Sequence, residues 1–407
     1  MMILLGKGGL GNNIGKMYIF ETLIGVTFYG AIMMTFQELQ GLSLSEVFYT
    51  KIGFVLSMAL LEIPTGYFAD VYGRKISLIL GSLIELIAIT IFAFADNFTL
   101  FLIVDILMGI ALALHSGATS AMVYESLQEQ NRANEYQKIW GDMHSYMMFS
   151  MAISAIIGGW VANQYGLEYA IYINIPFVAL ALLITTLLDE PIREKIVLKR
   201  GYQKLFIDDI RDIFQSSKVL QFIILYSATI YIFNQSIFPA YQHYYMEIGV
   251  GLVYFGLIHA LFQVVSGFSA RYAYKIERNL GIKNILILIP FIVAISYILM
   301  GTVIGIWSFI FIFLQQFVRG FREVVVSNYI NKIVSSKQRA TILSINSLVS
   351  KLLIAPMLLL WGFSLKYFSL TQTLLILGIV ALIMAIGIFI LIKGIGNDKR
   401  VNRFGSI

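Results

Sequence analysis

The sequence predicts an all-α integral membrane protein of twelve transmembrane helices arranged as two pseudo-symmetric six-helix bundles. Three observations carry this reading. The 407 residues are 58% hydrophobic and 13% charged, where a soluble chain would carry about 25% charged residues. Apolar runs of about 18 residues or more recur along the whole length, each long enough to cross about 30 Å of hydrocarbon. These runs have helical length and lack the short alternating strands of an outer-membrane barrel.

The elements follow in order. Residues 1–15 form a short Gly- and Asn-rich start, without the basic end, apolar core and cleavage site of a signal peptide. The first bundle, 16–188, holds spans at 16–38, 43–69, 76–96, 98–126, 136–164 and 167–188. Its loops are short, as at Asp96-Asn97 and Gly166. A long polar connection, 189–217, divides the chain. Within it Leu205, Phe206, Ile210, Ile213 and Phe214 share one helical face opposite Lys204, Asp208, Asp209, Arg211 and Asp212, the pattern of a helix lying on a membrane surface. The second bundle, 218–393, holds spans at 218–245, 249–274, 283–303, 306–333, 338–366 and 370–393, followed by a tail at 394–407.

Basic residues orient this map. Lys51 and Lys366 fall at one set of span ends, and Arg319, Arg322 and Lys351 fall within spans. The other 24 of the 29 Lys and Arg residues lie in the remaining loops and termini or within a turn of them. Such asymmetry places both termini in the cytoplasm of a multi-pass plasma or inner membrane protein. It also explains the net charge of +6 without a nucleic-acid partner. The two halves read as weak repeats: Tyr124-Glu125 with Arg132-Ala133 aligns, at one offset, with Tyr329 to Lys332 and Arg339-Ala340. At that offset His115 corresponds to Arg322.

Between the second and third spans lies Gly66-Tyr67-Phe68-Ala69-Asp70-Val71-Tyr72-Gly73-Arg74-Lys75. This segment resembles the signature loop of the major facilitator superfamily, G-x-x-x-D-x-x-G-R-K/R. Gly267-Phe268-Ser269-Ala270-Arg271 is a degenerate second copy, with Arg in place of Asp. The segments Glu62 to Gly66, Tyr124 to Leu127 and Arg339 to Ser344 resemble a bacterial branch grouped loosely with drug and metabolite exporters. The resemblance implies the major facilitator fold, a small-molecule solute, protons or another coupling ion, a monomer surrounded by membrane lipid, and no enzymatic activity. Two departures bear on antiport and leave the fold untouched. Asp105 stands four residues before Gly109, where drug/proton antiporters carry Arg. Ser154-Ala155 precedes Gly158-Gly159, where they carry Gly-Pro.

The resemblance further implies a gating latch of Gly66, Asp70, Gly73, Arg74 and Glu125. Arg74 would bridge Asp70 and Glu125, and Asp70 would face a helix N-terminus near Thr341. The remaining candidates are ionisable or polar groups at membrane depth, where a charge costs at least about 2.5–3.5 kcal/mol and so has a partner or a job. Glu21 is the first candidate for proton coupling, followed by Asp142, Asp105 and His115. Glu85 reads as a structural bond and Glu62 as part of the latch. Arg319, Arg322, Glu323 and Lys351 form a basic cluster in the second half, opposite a largely acidic first half. With Asn234 and Gln235 they are the candidates for solute contact.

No cysteine is present, and the four histidines have no metal-ligand spacing. No phosphate-binding loop appears either. Neither a cofactor, a metal nor direct use of ATP is expected. The leading reading is proton-coupled export of a drug, metallophore or metabolite. Uptake of an anionic or zwitterionic solute and lipid flipping are the alternatives.

Overall fold

A computed structural model describes residues 13–191, 218–333 and 339–395, with the side chains of 218–219, 323, 327–345 and 394–395 set aside. The expected surface helix of the linker, the Thr341 side chain, the Glu323 side chain and the tail therefore lie outside the described residues.

All regular structure among the described residues is helical. In the first half α1 (Asn13–Ile24), α2 (Met33–Leu39), α3 (Leu44–Tyr72) and α4 (Arg74–Phe94) lead to α5 (Phe98–Glu129), α6 (Tyr136–Tyr165), α7 (Leu167–Tyr172) and α8 (Ile175–Thr186). In the second half come α9 (Lys218–Ser236), α10 (Tyr241–Glu247), α11 (Val253–Leu280), α12 (Ile282–Thr302), α13 (Ile312–Ile333), α14 (Arg339–Ser364) and α15 (Leu370–Ile395). Ten helical segments among the described residues are long and apolar enough to cross a membrane. The two other expected spans are the first, which is broken, and the tenth, whose helix carries Arg319, Arg322 and Glu323.

Local chemistry sets the helix ends. Ser43 and Glu46 form a reciprocal capping box at the start of α3. The Asn97 side chain accepts the Leu100 amide at the start of α5. Gly73 and Gly166 carry φ of +125° and +117°, a backbone region open chiefly to glycine. They permit the sharp turns from α3 to α4 and from α6 to α7.

Four expected continuous spans are interrupted. The first unwinds between Ile24 and Met33, and the sixth between Tyr172 and Ile175. These two breaks meet. The Phe28 amide donates to Asn174 Oδ1 at 2.9 Å and the Thr27 amide to Ser154 Oγ at 3.0 Å. Backbone groups freed from a helix inside hydrocarbon must be satisfied internally, and these side chains do it. Two glycines make room: a Cβ on Gly158 would lie 1.8 Å from the Phe28 carbonyl, and one on Gly25 would lie 2.4 Å from that of Met147. The seventh span is interrupted by a 3-10 turn at Phe238–Ala240, where Pro239 removes a backbone donor. There the Trp361 indole donates to Ser236 Oγ at 3.1 Å. The tenth span opens with a 3-10 turn, Ile306–Phe311, before α13.

The chain divides into two compact units. Among the described residues, the first takes those up to 191 together with Val250–Leu261, and the second takes 218–249 with those from Phe262 onward. The start of α11 joins the first unit through glycine contact: a Cβ on Gly256 would lie 2.0 Å from the Ala155 carbonyl, and one on Gly159 would lie 3.0 Å from the Gly256 nitrogen. Within the first unit Met17, Phe20, Leu78, Met122, Val123, Leu127 and Met143 form one buried cluster. In lipid such a cluster stabilises by close packing rather than by removal from water.

Candidate functional site

The signature segment forms a three-residue ionic cluster. The last turn of α3 places Asp70 one helical turn before Arg74, across Gly73. Arg74 Nη1 lies 2.6 Å from Asp70 Oδ1, and Arg74 Nη2 lies 3.1 Å from Glu125 Oε1 near the end of α5. Only 12% of the Arg74 side chain is exposed, so a single guanidinium ties α3, α4 and α5 together. Glu125 Oε2 is buried with no hydrogen-bond partner among the described residues. Gly66 does not owe its place to crowding, since a Cβ there would meet open space. Gly117 of α5 packs against it without crowding, since a Cβ there would lie at an ordinary contact distance of 3.5 Å from the Gly66 Cα.

Sequence reading missed the residues that back this cluster. Glu190, just past α8, accepts the backbone amides of Arg74 and Lys75, each at 2.8 Å. These are unpaired donors of the first turn of α4, where a carboxylate is favoured. A Cβ on Gly73 would lie 2.9 Å from the Glu190 carboxylate. The adjacent Asp189 engages the start of α1. Its amide donates to Asn13 Oδ1 at 2.9 Å, and Lys16 Nζ lies 3.2 Å from its carboxylate. The only sequence signal was the Asp-Glu pair at the end of an apolar run.

Three acidic sites in the first unit have different surroundings. Asp105 of α5 pairs with Lys51 of α3, with Nζ at 2.8 and 2.7 Å from the two carboxylate oxygens. Both side chains are buried. Lys51, read from the sequence as a flanking charge, is therefore a buried cation, and the first half is not purely acidic at depth. Glu85 of α4 faces His115 of α5, with Oε2 3.8 Å from Nδ1, and Ser82 Oγ lies 3.2 Å from His115 Nε2. Gly81 provides the slot, because a Cβ there would lie 2.5 Å from the imidazole.

Glu21 of α1 is the exception. It is 7% exposed, and its carboxylate has no hydrogen-bond or ion-pair partner among the described residues. Asp142 and His144 of α6 are exposed. Among the described residues no group of three His, Cys, Asp or Glu side chains could hold a metal ion.

In the second unit α13 presents two guanidinium groups to neutral acceptors. Arg319 donates to Gln263 Oε1 at 2.7 Å and to Gln316 Oε1 at 3.2 Å. Arg322 donates to Ser227 Oγ at 3.1 Å, and its guanidinium sits 5.0 Å from the centre of the Tyr231 ring, within cation–π range. Asn234 is buried and donates to the Gln315 carbonyl at 2.7 Å and to Gln315 Oε1 at 3.0 Å. This bonding ties α9 to α13. Gln235 and Lys351 are half-buried. Sequence reading named the arginines, and the structure adds Ser227 and Tyr231 as their surroundings.

Fold and site chemistry together define a membrane transporter, and comparison names its family. The model of the Major Facilitator Superfamily matches residues 17–314, and the chain belongs to that superfamily. It is a multi-pass, non-enzymatic transporter with the major facilitator fold. An uncharacterised transporter of the same type from Methanocaldococcus jannaschii is 23% identical over 302 residues, covering 72% of this chain and 76% of that protein. The methylenomycin A resistance protein of Bacillus subtilis is 27% identical over 167 residues, or 41% of this chain and 35% of that one. Among solved structures, a variant of the nucleoside transporter NupG superposes with a TM-score of 0.77 at 14% identity, covering 94% of this chain and 100% of that chain. A D-xylose–proton symporter does so with a TM-score of 0.66 at 15% identity, covering 93% and 96%.

Proposed function

We propose that this chain is a secondary active transporter that works by alternating access and exports a small organic solute in exchange for protons, with both termini in the cytoplasm. The observation that carries the coupling is Glu21. A buried carboxylate at membrane depth is expensive unless a partner offsets it, and Glu21 has none among the described residues while remaining 7% exposed. That combination suits a group that takes up and releases a proton during a cycle. Asp105, held by Lys51, is less suited, and His115 beside Glu85 stands second. The likeness to a resistance protein supports export. The Asp70–Arg74–Glu125 cluster suits a latch that holds one state of the cycle, and the orphan oxygen on Glu125 gives it a reason to rearrange.

A thermal-shift screen of purified protein against anionic, zwitterionic and cationic solutes across pH identifies the solute class by linkage. Transport of the stabilising solute is then measured in proteoliposomes under pH gradients of both signs. Glu21→Gln is expected to keep solute binding and lose proton-driven movement. Full proton-driven transport by Glu21→Gln would remove Glu21 from the mechanism.

Uptake of an anionic or zwitterionic solute is a second reading, favoured by two guanidinium groups, Arg319 and Arg322, one turn apart on one helix. Asn234, Gln235 and Lys351 would complete such a site. Arg322→Gln and Lys351→Gln variants that transport like the parent would count against it.

A further inference from the structure

The second unit carries a groove unlike the polar site on α13. It encloses about 340 Å³ and is walled by Val264, Phe268, Tyr272 and Ile276 of α11 and by Phe317 of α13. The two helices touch just beside it: a Cβ on Gly320 would lie 2.0 Å from the Ser266 carbonyl. Ser269, the one hydroxyl deep in the lining, already donates to Ser266 at 2.9 Å. A polar solute entering here would lose its hydrogen bonds to water and gain none. An acyl chain loses nothing.

The shape of the wall agrees. The Phe268 and Tyr272 rings lie 6.1 Å apart at 17°, stacked nearly parallel along the wall, and they are 59% and 40% exposed. From Val264 to Ile276 the helix rises about 18 Å, close to the depth of one leaflet of hydrocarbon. At the Ile276 end the surroundings become cationic. Lys275 holds its ammonium 5.4 Å from the centre of the Tyr272 ring. Arg271 and Arg278 lie one turn to either side on the same helix, against the single acid Glu277, and all three basic residues are exposed. The sequence places this end on the cytoplasmic side, where anionic lipids concentrate.

We propose that this groove binds one acyl chain of an anionic phospholipid, with the phosphate held by Lys275 and Arg271. The site is independent of the direction of transport and of the solute. The test is a tryptophan introduced as Phe268→Trp and reconstituted with phospholipids brominated on the acyl chain. The four native tryptophans give the baseline in the parent.

Brominated phosphatidylglycerol is expected to quench the new tryptophan at a roughly tenfold lower mole fraction than brominated phosphatidylcholine. Lys275→Gln with Arg271→Gln should abolish that preference without abolishing quenching. Equal quenching by both lipids in the unaltered charge background would mean ordinary boundary lipid and would overturn the proposal. So would a preference that survives loss of both charges, or no quenching at all. Val264→Trp, one turn away, repeats the measurement if Phe268→Trp fails to insert.

Discussion

Replacing Lys51 by alanine would leave Asp105 buried without its counter-charge. Breaking one side of a buried ion pair costs about 3–5 kcal/mol, whereas replacing both members by apolar residues of similar volume is often neutral or stabilising. Lys51→Ala should therefore lower the unfolding midpoint in detergent sharply, and Lys51→Met with Asp105→Leu should restore it. A single variant as stable as the parent would mean that the pair contributes nothing. Asp105 was legible in the sequence as a charge at depth, but its partner was not. Lys51 lies 54 positions away and close to a span end, where basic residues are commonplace. Sequence gives depth along a helix, whereas pairing depends on which face of α3 meets α5. The Arg74 bridge to Asp70 and Glu125 was legible because the signature loop contains Asp70 and Arg74 and the family resemblance implies Glu125 as their third member. Its support by Glu190 was not, since a carboxylate after the sixth span belongs to no pattern.

Helix continuity failed as an expectation where distant side chains supply the missing hydrogen bonds. Residues 16–38 read as one apolar run, yet the chain unwinds after Ile24 because Ser154 and Asn174, more than a hundred positions away, receive the freed amides. Hydropathy counts side chains and is blind to that exchange. The local signals were Gly25, Gly30 and Pro176, with Pro239 playing the same part in the second half. Asn174→Ala would orphan the Phe28 amide at a cost of about 1–3 kcal/mol, seen as a lower unfolding midpoint and faster hydrogen exchange at Phe28. Asn174→Asp keeps an acceptor and should lose less. Unchanged exchange at Phe28 in Asn174→Ala would show that this bond does not hold the break.

A transporter needs two states of similar free energy, so modest changes at a latch have large effects on the population of each. Asp70→Asn keeps the size of the side chain and removes its charge, leaving Arg74 with Glu125 alone. Transport should fall about tenfold, equivalent to about 1.4 kcal/mol of imbalance between states, while insertion and unfolding midpoint stay near those of the parent. Undiminished transport by a folded Asp70→Asn protein would exclude the latch. The twelve-span architecture and the asymmetry of the basic residues were readable from composition and pattern because membrane insertion itself imposes them.

The grip of Asp189 and Glu190 on Asn13, Lys16 and the first turn of α4 also bears on biosynthesis. These two acids are the last residues of the first six spans to leave the ribosome, and their partners were synthesised near the beginning and a third of the way along that half. These closing bonds therefore need no residue of the second half. Domains made first generally fold first during synthesis, and here the signal that the earlier half is complete is written in its final two residues. A ribosome stalled before Asp189 would carry six inserted spans with an unfastened edge, open to quality-control proteases. One stalled far enough beyond Glu190 for both acids to have left the exit tunnel would carry a fastened one.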